Sequence, residues 1–369
     1  MMHLPKPSLR LSDLVRQRAA AGRRMAVMPS RLRPVAPPAQ NPGGLEFHAY
    51  VPPSLKPGSA LVVVLHGCRQ HARLYDHGTG WTQLADAQGF AVLAPEQSQR
   101  NNPLGCFNWF DPAQVTRGRG EVASIAAAVR AMVEAHRLDP RRVFVTGLSA
   151  GGAMTSAVLA TYPELFAGGA ILAGLPYGAA RDAQEAFAAM RGPHPQSTRA
   201  LGEAVRRASP HRGPWPTVSV WHGTADETVA VANAADCVRQ WLDVHGISAA
   251  AREEPDADVA RHRTWRDAEG RIVVESYTVP GLAHGAPIGP GVAEEARRGG
   301  VAAPFILDAG VHSTWHIASR WGLVDPARVV PPAPKVEVDD RALPEPSAWA
   351  RMTPAEVIER ALRSAGVVR

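Results

Sequence analysis

The sequence predicts an α/β fold built on a mainly parallel sheet, and two observations carry that expectation. Short, continuously apolar runs alternate along the chain with alanine-rich stretches of helical period. This is the pattern of strands buried on both faces with helices packed over them. Each run also stops at Gly, Pro or a His-Gly pair, so loops leave the carboxyl ends of the strands, where such sheets gather their reactive groups.

In chain order, residues 1–44 read as a largely irregular extension. Pro5, Pro7, Pro29, Pro34, Pro37 and Pro38 bracket an arginine-rich piece, Ser12 to Met25, that suits a short helix. From Leu45 the texture changes, and 45–323 is the predicted catalytic domain. Leu61 to Leu65 is a buried strand ended by His66-Gly67, and Phe90 to Ala94 is a second, stopping at Pro95. Val122, Ile125, Val129, Met132, Val133 and His136 recur at spacings of three and four, a helix closed by Asp139-Pro140. Arg142 to Thr146 runs up to Gly147, Thr217 to Trp221 up to His222-Gly223, and Ile272 to Val279 up to Pro280-Gly281. Residues 178–214 break the rhythm with helical pieces and no clear strand, either a cap or a surface excursion. Residues 324–369 form a proline-rich tail in which Thr353-Pro354 starts a short terminal helix.

Composition narrows the function classes. Apolar residues at 45% and charged residues at 20% exclude a wholly disordered or collagenous chain. No run approaches the roughly 18 apolar residues of a membrane span. The net charge of +6 comes from 40 basic residues, of which only Lys6, Lys56 and Lys335 are lysine. An arginine excess scattered in this way is compositional bias rather than a nucleic-acid footprint. Cys68, Cys106 and Cys237 have no zinc spacing. The apolar stretch Met25 to Met28 is too short for a secretory signal, which takes roughly 7–15 residues.

Gly147-Leu148-Ser149-Ala150-Gly151 matches the G-x-S-x-G nucleophile elbow, between an apolar strand and the helical run Gly152 to Ala160. A serine hydroxyl needs a base, and the base needs an acid to fix its tautomer. Asp226 and His284 follow in the required order, each in a loop just after a strand. His66, His222, His312 and His316 are the competing histidines: the first two end strands and suit loop orientation, and the last two share a helix. Glu227 and Asp236 compete with Asp226, Asp236 falling in the helix that follows. An oxyanion hole takes two backbone donors. Ala150 supplies one, and Cys68 the other, with Gly67 letting the chain turn inward.

Together His66-Gly67-Cys68, Gly105 to Phe110, Gly147 to Gly152, Trp221 to Asp226 and Ala283-His284-Gly285 resemble the polyhydroxybutyrate depolymerase family of esterases. That family is of the α/β-hydrolase fold and is related to feruloyl and acetylxylan esterases. The resemblance covers about residues 45 to 323 and implies Ser149 as nucleophile, His284 as general base and Asp226 as its acid. It further implies a Cys68–Cys106 disulfide, places Asn108 and Trp109 at the acyl pocket, and requires no metal or organic cofactor. The expected partner is an ester substrate: short-chain 3-hydroxybutyrate esters, oligomers or amorphous polymer, because fewer than fifty residues follow Leu323, too few for a polymer-binding module. The alternative is a feruloyl or acetylxylan esterase, ahead of a serine peptidase or a non-catalytic binding protein. The family and its disulfide imply export, the unreadable signal peptide implies the cytoplasm, and oligomeric state is not readable.

Overall fold

Buried parallel strands demand helices on both faces, and the chain meets that demand. The structure, a computed structural model, describes residues 30–328 apart from 193–194, 249, 251, 255–259, 293 and 326. The expected helices near Ser12 to Met25 and after Thr353 lie outside the described residues. In order the elements are β1 (Arg33–Val35), β2 (Glu46–Tyr50), β3 (Leu61–Leu65), α1 (Ala72–Thr79), α2 (Trp81–Gln88), β4 (Ala91–Glu96), α3 (Pro112–Val115) and α4 (Gly120–His136). They continue with β5 (Val143–Leu148), α5 (Ala150–Thr161), β6 (Gly168–Leu172), α6 (Ala183–Arg191), α7 (Thr198–Arg207), β7 (Thr217–Gly223) and α8 (Ala232–His245). The last are β8 (Arg252–Glu254), β9 (Arg261–Arg266), β10 (Ile272–Val279), β11 (Ala286–Ile288), β12 (Ile306–Asp308) and α9 (Ser313–Arg320).

Among the described residues the main sheet runs β1-β2-β4-β3-β5-β6-β7-β10-β9-β8. The central strands β4, β3, β5, β6, β7 and β10 are mutually parallel, and the outer strands pair antiparallel. All five residues of β3 are buried. Leu61, Val63 and Leu65 face one core, with Val122, Ile125, Met154 and Trp241, while Val62 and Val64 face the other, with Leu74, Trp81 and Ile317. Such strands read as unbroken apolar runs, which is why the sequence shows them. The chain leaves β3 to build β4 on one side and β5 on the other, so the strand order reverses at β3. The crevice beyond the carboxyl ends of β3 and β5 is where open α/β sheets bind ligands. Among the described residues no helix is long and apolar enough to cross a membrane.

Several boundaries differ from the sequence expectation, among them these. The sheet begins before Leu45: Arg33–Val35 pairs with β2, and Leu32 is fully buried. Ser30 Oγ beside it donates to buried Asp76 at 2.9 Å. β4 continues through Pro95, which sits opposite Phe47, because pairing with β3 has already ended at Leu93. Past that point one side of the strand needs no donor, so a proline fits. β5 likewise runs past Gly147 to Leu148, putting the turn on Ser149 itself. Residues 178–214 do carry helices, α6 and α7, with no strand among the described residues.

Candidate active site

Ser149 lies between β5 and α5 with φ 57° and ψ −117°, a conformation side chains rarely adopt. Its neighbours make the turn possible. A Cβ on Gly147 would stand 2.4 Å from Gly151 O, and one on Gly151 would stand 2.3 Å from Leu65 O. Ser149 N–H donates to Leu172 O at 2.9 Å, pinning the elbow to β6. Ala150 opens α5, so its N–H has no acceptor within the helix.

Asp226 follows β7 and His284 follows β10, adjacent parallel strands whose loops leave the same rim. His284 Nδ1 is 2.7 Å from Asp226 Oδ2, and its Nε2 is 2.8 Å from Ser149 Oγ. A carboxylate only accepts, so Nδ1 carries the proton and Nε2 is left to accept from the hydroxyl. Asp226 Oδ1 takes the Thr228 and Val229 amides at 2.9 and 2.8 Å. Burial by itself raises the Asp226 carboxyl, but bonds from His222 and His284, the nearby imidazole charge and the Val229 amide outweigh it and hold it well below the usual carboxylate range.

The competing residues find other places. Glu227 is exposed, and Asp236 is buried within α8. His66 Nδ1 donates to Gly67 O at 2.8 Å while its Nε2 accepts from the Gln97 amide, so it braces the loop after β3. His312 precedes α9 with Nε2 3.1 Å from Thr79 O, and burial takes it down to about 4. His316 is buried in α9. His222 is the residue sequence reasoning placed only loosely. Its Nε2 lies 2.8 Å from Val229 O and 3.2 Å from Asp226 Oδ2, a second imidazole on the same carboxylate.

The loop after β3 ends near the elbow. Gly67 N–H donates to Gln70 Oε1 at 2.9 Å. The left-handed residue of this loop is Arg69, φ 62°. Cys68 and Cys106 form a disulfide that ties the loop to the Asn108-Trp109 segment. Trp109 packs beside Ala153, Leu175, Ala189 and Val229, and these touch the site on both sides: Ala153 N–H bonds Ser149 O, and Val229 N–H bonds Asp226. Asn108, next to Trp109, has other partners. Its Nδ2 and backbone N–H both bond buried Glu121, at 2.7 and 2.9 Å, and its Oδ1 accepts from Asn102 at 2.8 Å. These bonds give Asn108 a bracing place on Glu121. Glu121 lies on α4, one residue before the helical pattern the sequence showed, and nothing local marks it as buried. Burial pushes its carboxyl up to about 7 against the hydrogen bonds it accepts from Asn108 and Gln97.

A family model described as esterase PHB depolymerase matches residues 45–262. The chain belongs to that family. It is 40% identical over 285 residues to poly(3-hydroxyalkanoate) depolymerase C of Paucimonas lemoignei, covering 77% of this chain and 68% of that one. It is 34% identical over 253 residues to an acetylxylan esterase of Coprinopsis cinerea, covering 67% of each. In three dimensions it is similar to an acetyl xylan esterase from Aspergillus awamori, with TM-score 0.62 and 26% identity, covering 69% of this chain and 93% of that one. The fold is thus the α/β-hydrolase fold, and the chain is a carboxylic ester hydrolase of the serine type.

Proposed function

We propose that Ser149, His284 and Asp226 are the nucleophile, general base and orienting acid of a two-step ester hydrolysis. The observation that carries this reading is the unbroken hydrogen-bonded line from Asp226 through His284 to the hydroxyl of an elbow serine. Ser149 Oγ bonds to the ester carbonyl carbon as its proton passes to His284 Nε2, and the carbonyl electron pair moves onto oxygen. The amides of Cys68 and Ala150 receive that oxyanion; the neighbouring amides of Gly67, Arg69, Gln70 and Ser149 already have acceptors. When the carbonyl re-forms, the C–O bond to the alcohol breaks and Nε2 returns its proton to the departing alkoxide. A water then repeats the sequence on the acyl-enzyme and releases the acid.

Ser149→Ala is expected to abolish p-nitrophenyl butyrate hydrolysis while leaving the circular dichroism spectrum unchanged; substantial residual turnover would refute the assignment.

The favoured substrates are short-chain 3-hydroxybutyrate esters, their oligomers or amorphous polymer, supported by the 40% identity to a poly(3-hydroxyalkanoate) depolymerase. A second reading, acetyl or feruloyl release from xylan, draws on the acetylxylan esterase likeness in sequence and structure. Parallel assays on hydroxybutyrate trimer, acetylated xylan and methyl ferulate separate them, and faster turnover of either carbohydrate-type ester favours the second.

A further inference from the structure

β12 is preceded by a two-residue turn whose sequence does not suit its shape. Ile306 N–H bonds Ala303 O at 2.9 Å and Ala303 N–H bonds Ile306 O at 3.0 Å, which leaves Pro304 and Phe305 as the central pair. Phe305 has φ 62°. Proline first and positive φ second is the type II pattern, in which glycine is the favoured second residue. A bulky aromatic residue is strained there. The turn is nonetheless fixed to the site from two sides. Gln70 Nε2 donates to Pro304 O at 2.9 Å while its Oε1 accepts from Gly67 N–H in the loop after β3. The Phe305 ring stands edge-on to the His284 imidazole, centroids 6.0 Å apart, and remains half-exposed.

We propose that Phe305 is a specificity-determining residue that forms the wall against which the alcohol half of the ester lies. The inference rests on the roles given above to Ser149 and His284. Nε2 must hand its proton to the departing alkoxide, so the alcohol half has to reach His284. The ring flanking that imidazole is Phe305, whereas Trp109 belongs to the cluster of Ala153, Leu175 and Val229. The strained turn thus places an aromatic ring beside the imidazole.

The test varies the two halves of the substrate separately. Methyl, butyl and hexyl acetate vary the alcohol; methyl acetate, butyrate and hexanoate vary the acid. Phe305→Gly relieves the turn, and Phe305→Asn, which also tolerates positive φ, guards against a loosened backbone. Both variants are expected to keep a Tm at or near the parent's and to lose roughly tenfold in kcat/KM for hexyl relative to methyl acetate. The acyl series should shift uniformly. Equal losses on every alcohol, a loss that follows acyl length, or a clearly lower Tm in both variants overturns the proposal. Ser149→Ala run on the same esters keeps the two readings apart, because activity surviving there defeats the triad and leaves the alcohol-length result to be read by itself.

Discussion

Two buried carboxylates sit beneath the two halves of this site, and they behave oppositely. Asp226 supports the half after β7 and β10, and Glu121 supports the half after β3 and β4, where the disulfide joins Cys68 to Cys106. Each accepts backbone and side-chain hydrogen bonds, and burial pushes each upward. The difference lies in the donors. Asp226 faces two imidazoles, one of which becomes a cation during the proposed reaction, and its carboxyl is held down. Glu121 accepts hydrogen bonds from the neutral amides of Asn108 and Gln97, and burial, with the charge of Asp111 nearby, raises its carboxyl to about 7. Hydrogen bonds satisfy a buried carboxyl in either case, but a partner able to take up positive charge decides whether it stays ionised.

The comparison breaks most severely at Asp226. Asp226→Asn keeps the shape but removes the acceptor that fixes the His284 tautomer, and kcat on p-nitrophenyl butyrate is expected to fall about 10³–10⁴-fold. A loss below tenfold would show that this carboxylate has no such role. On the other half the strongest single restraint is the disulfide. It closes a loop of sequence separation 38, and Cys68→Ser with Cys106→Ser is expected to cost roughly 3–4 kcal/mol of stability by chain entropy. Urea unfolding measures this, and equal midpoints in parent and variant would contradict it.

The sharpest contrast is in pH dependence, where the two groups have opposite signs. Asp226 lies below its ordinary 3.8 in the folded protein, so its contribution is present above that value and lost as pH falls. Glu121 is raised from 4.5 to about 7, so its contribution is present below 4.5 and lost as pH rises through about 7. Glu121→Gln has no charge to desolvate and is expected to remove a parent loss on the order of 3 kcal/mol between pH 5 and pH 8. Urea midpoints at those two pH values decide it; an unchanged difference in the variant would show that Glu121 is not the titrating group.

Much of this site was legible because its requirements are local. The elbow needs glycine at 147 and 151 for contacts within a few residues of Ser149 or with the adjacent β3. Strands buried on both faces are unbroken apolar runs, so β3 appears with its observed ends. Two strands that depart from that pattern were not legible. β6 begins with two glycines, and β9 is Arg-His-Arg-Thr-Trp-Arg, in which only His262 and Thr264 are buried. The bonds from Asn108 to Glu121 were not legible either, since Glu121 lies on a helix that the sequence shows only as a periodic pattern.

The sequence by itself determined the alternation of strand and helix, the serine elbow, and the chain order of Ser149, Asp226 and His284, because each rests on spacing or on the shape of a single turn. Tertiary structure alone decided that Gln70 spans from Gly67 to Pro304, that Glu121 is sealed beneath Asn108, and that Phe305 meets His284. Those pairings join residues carried on different loops and helices, and which loops meet is fixed by the order of strands in the sheet, which no local pattern encodes.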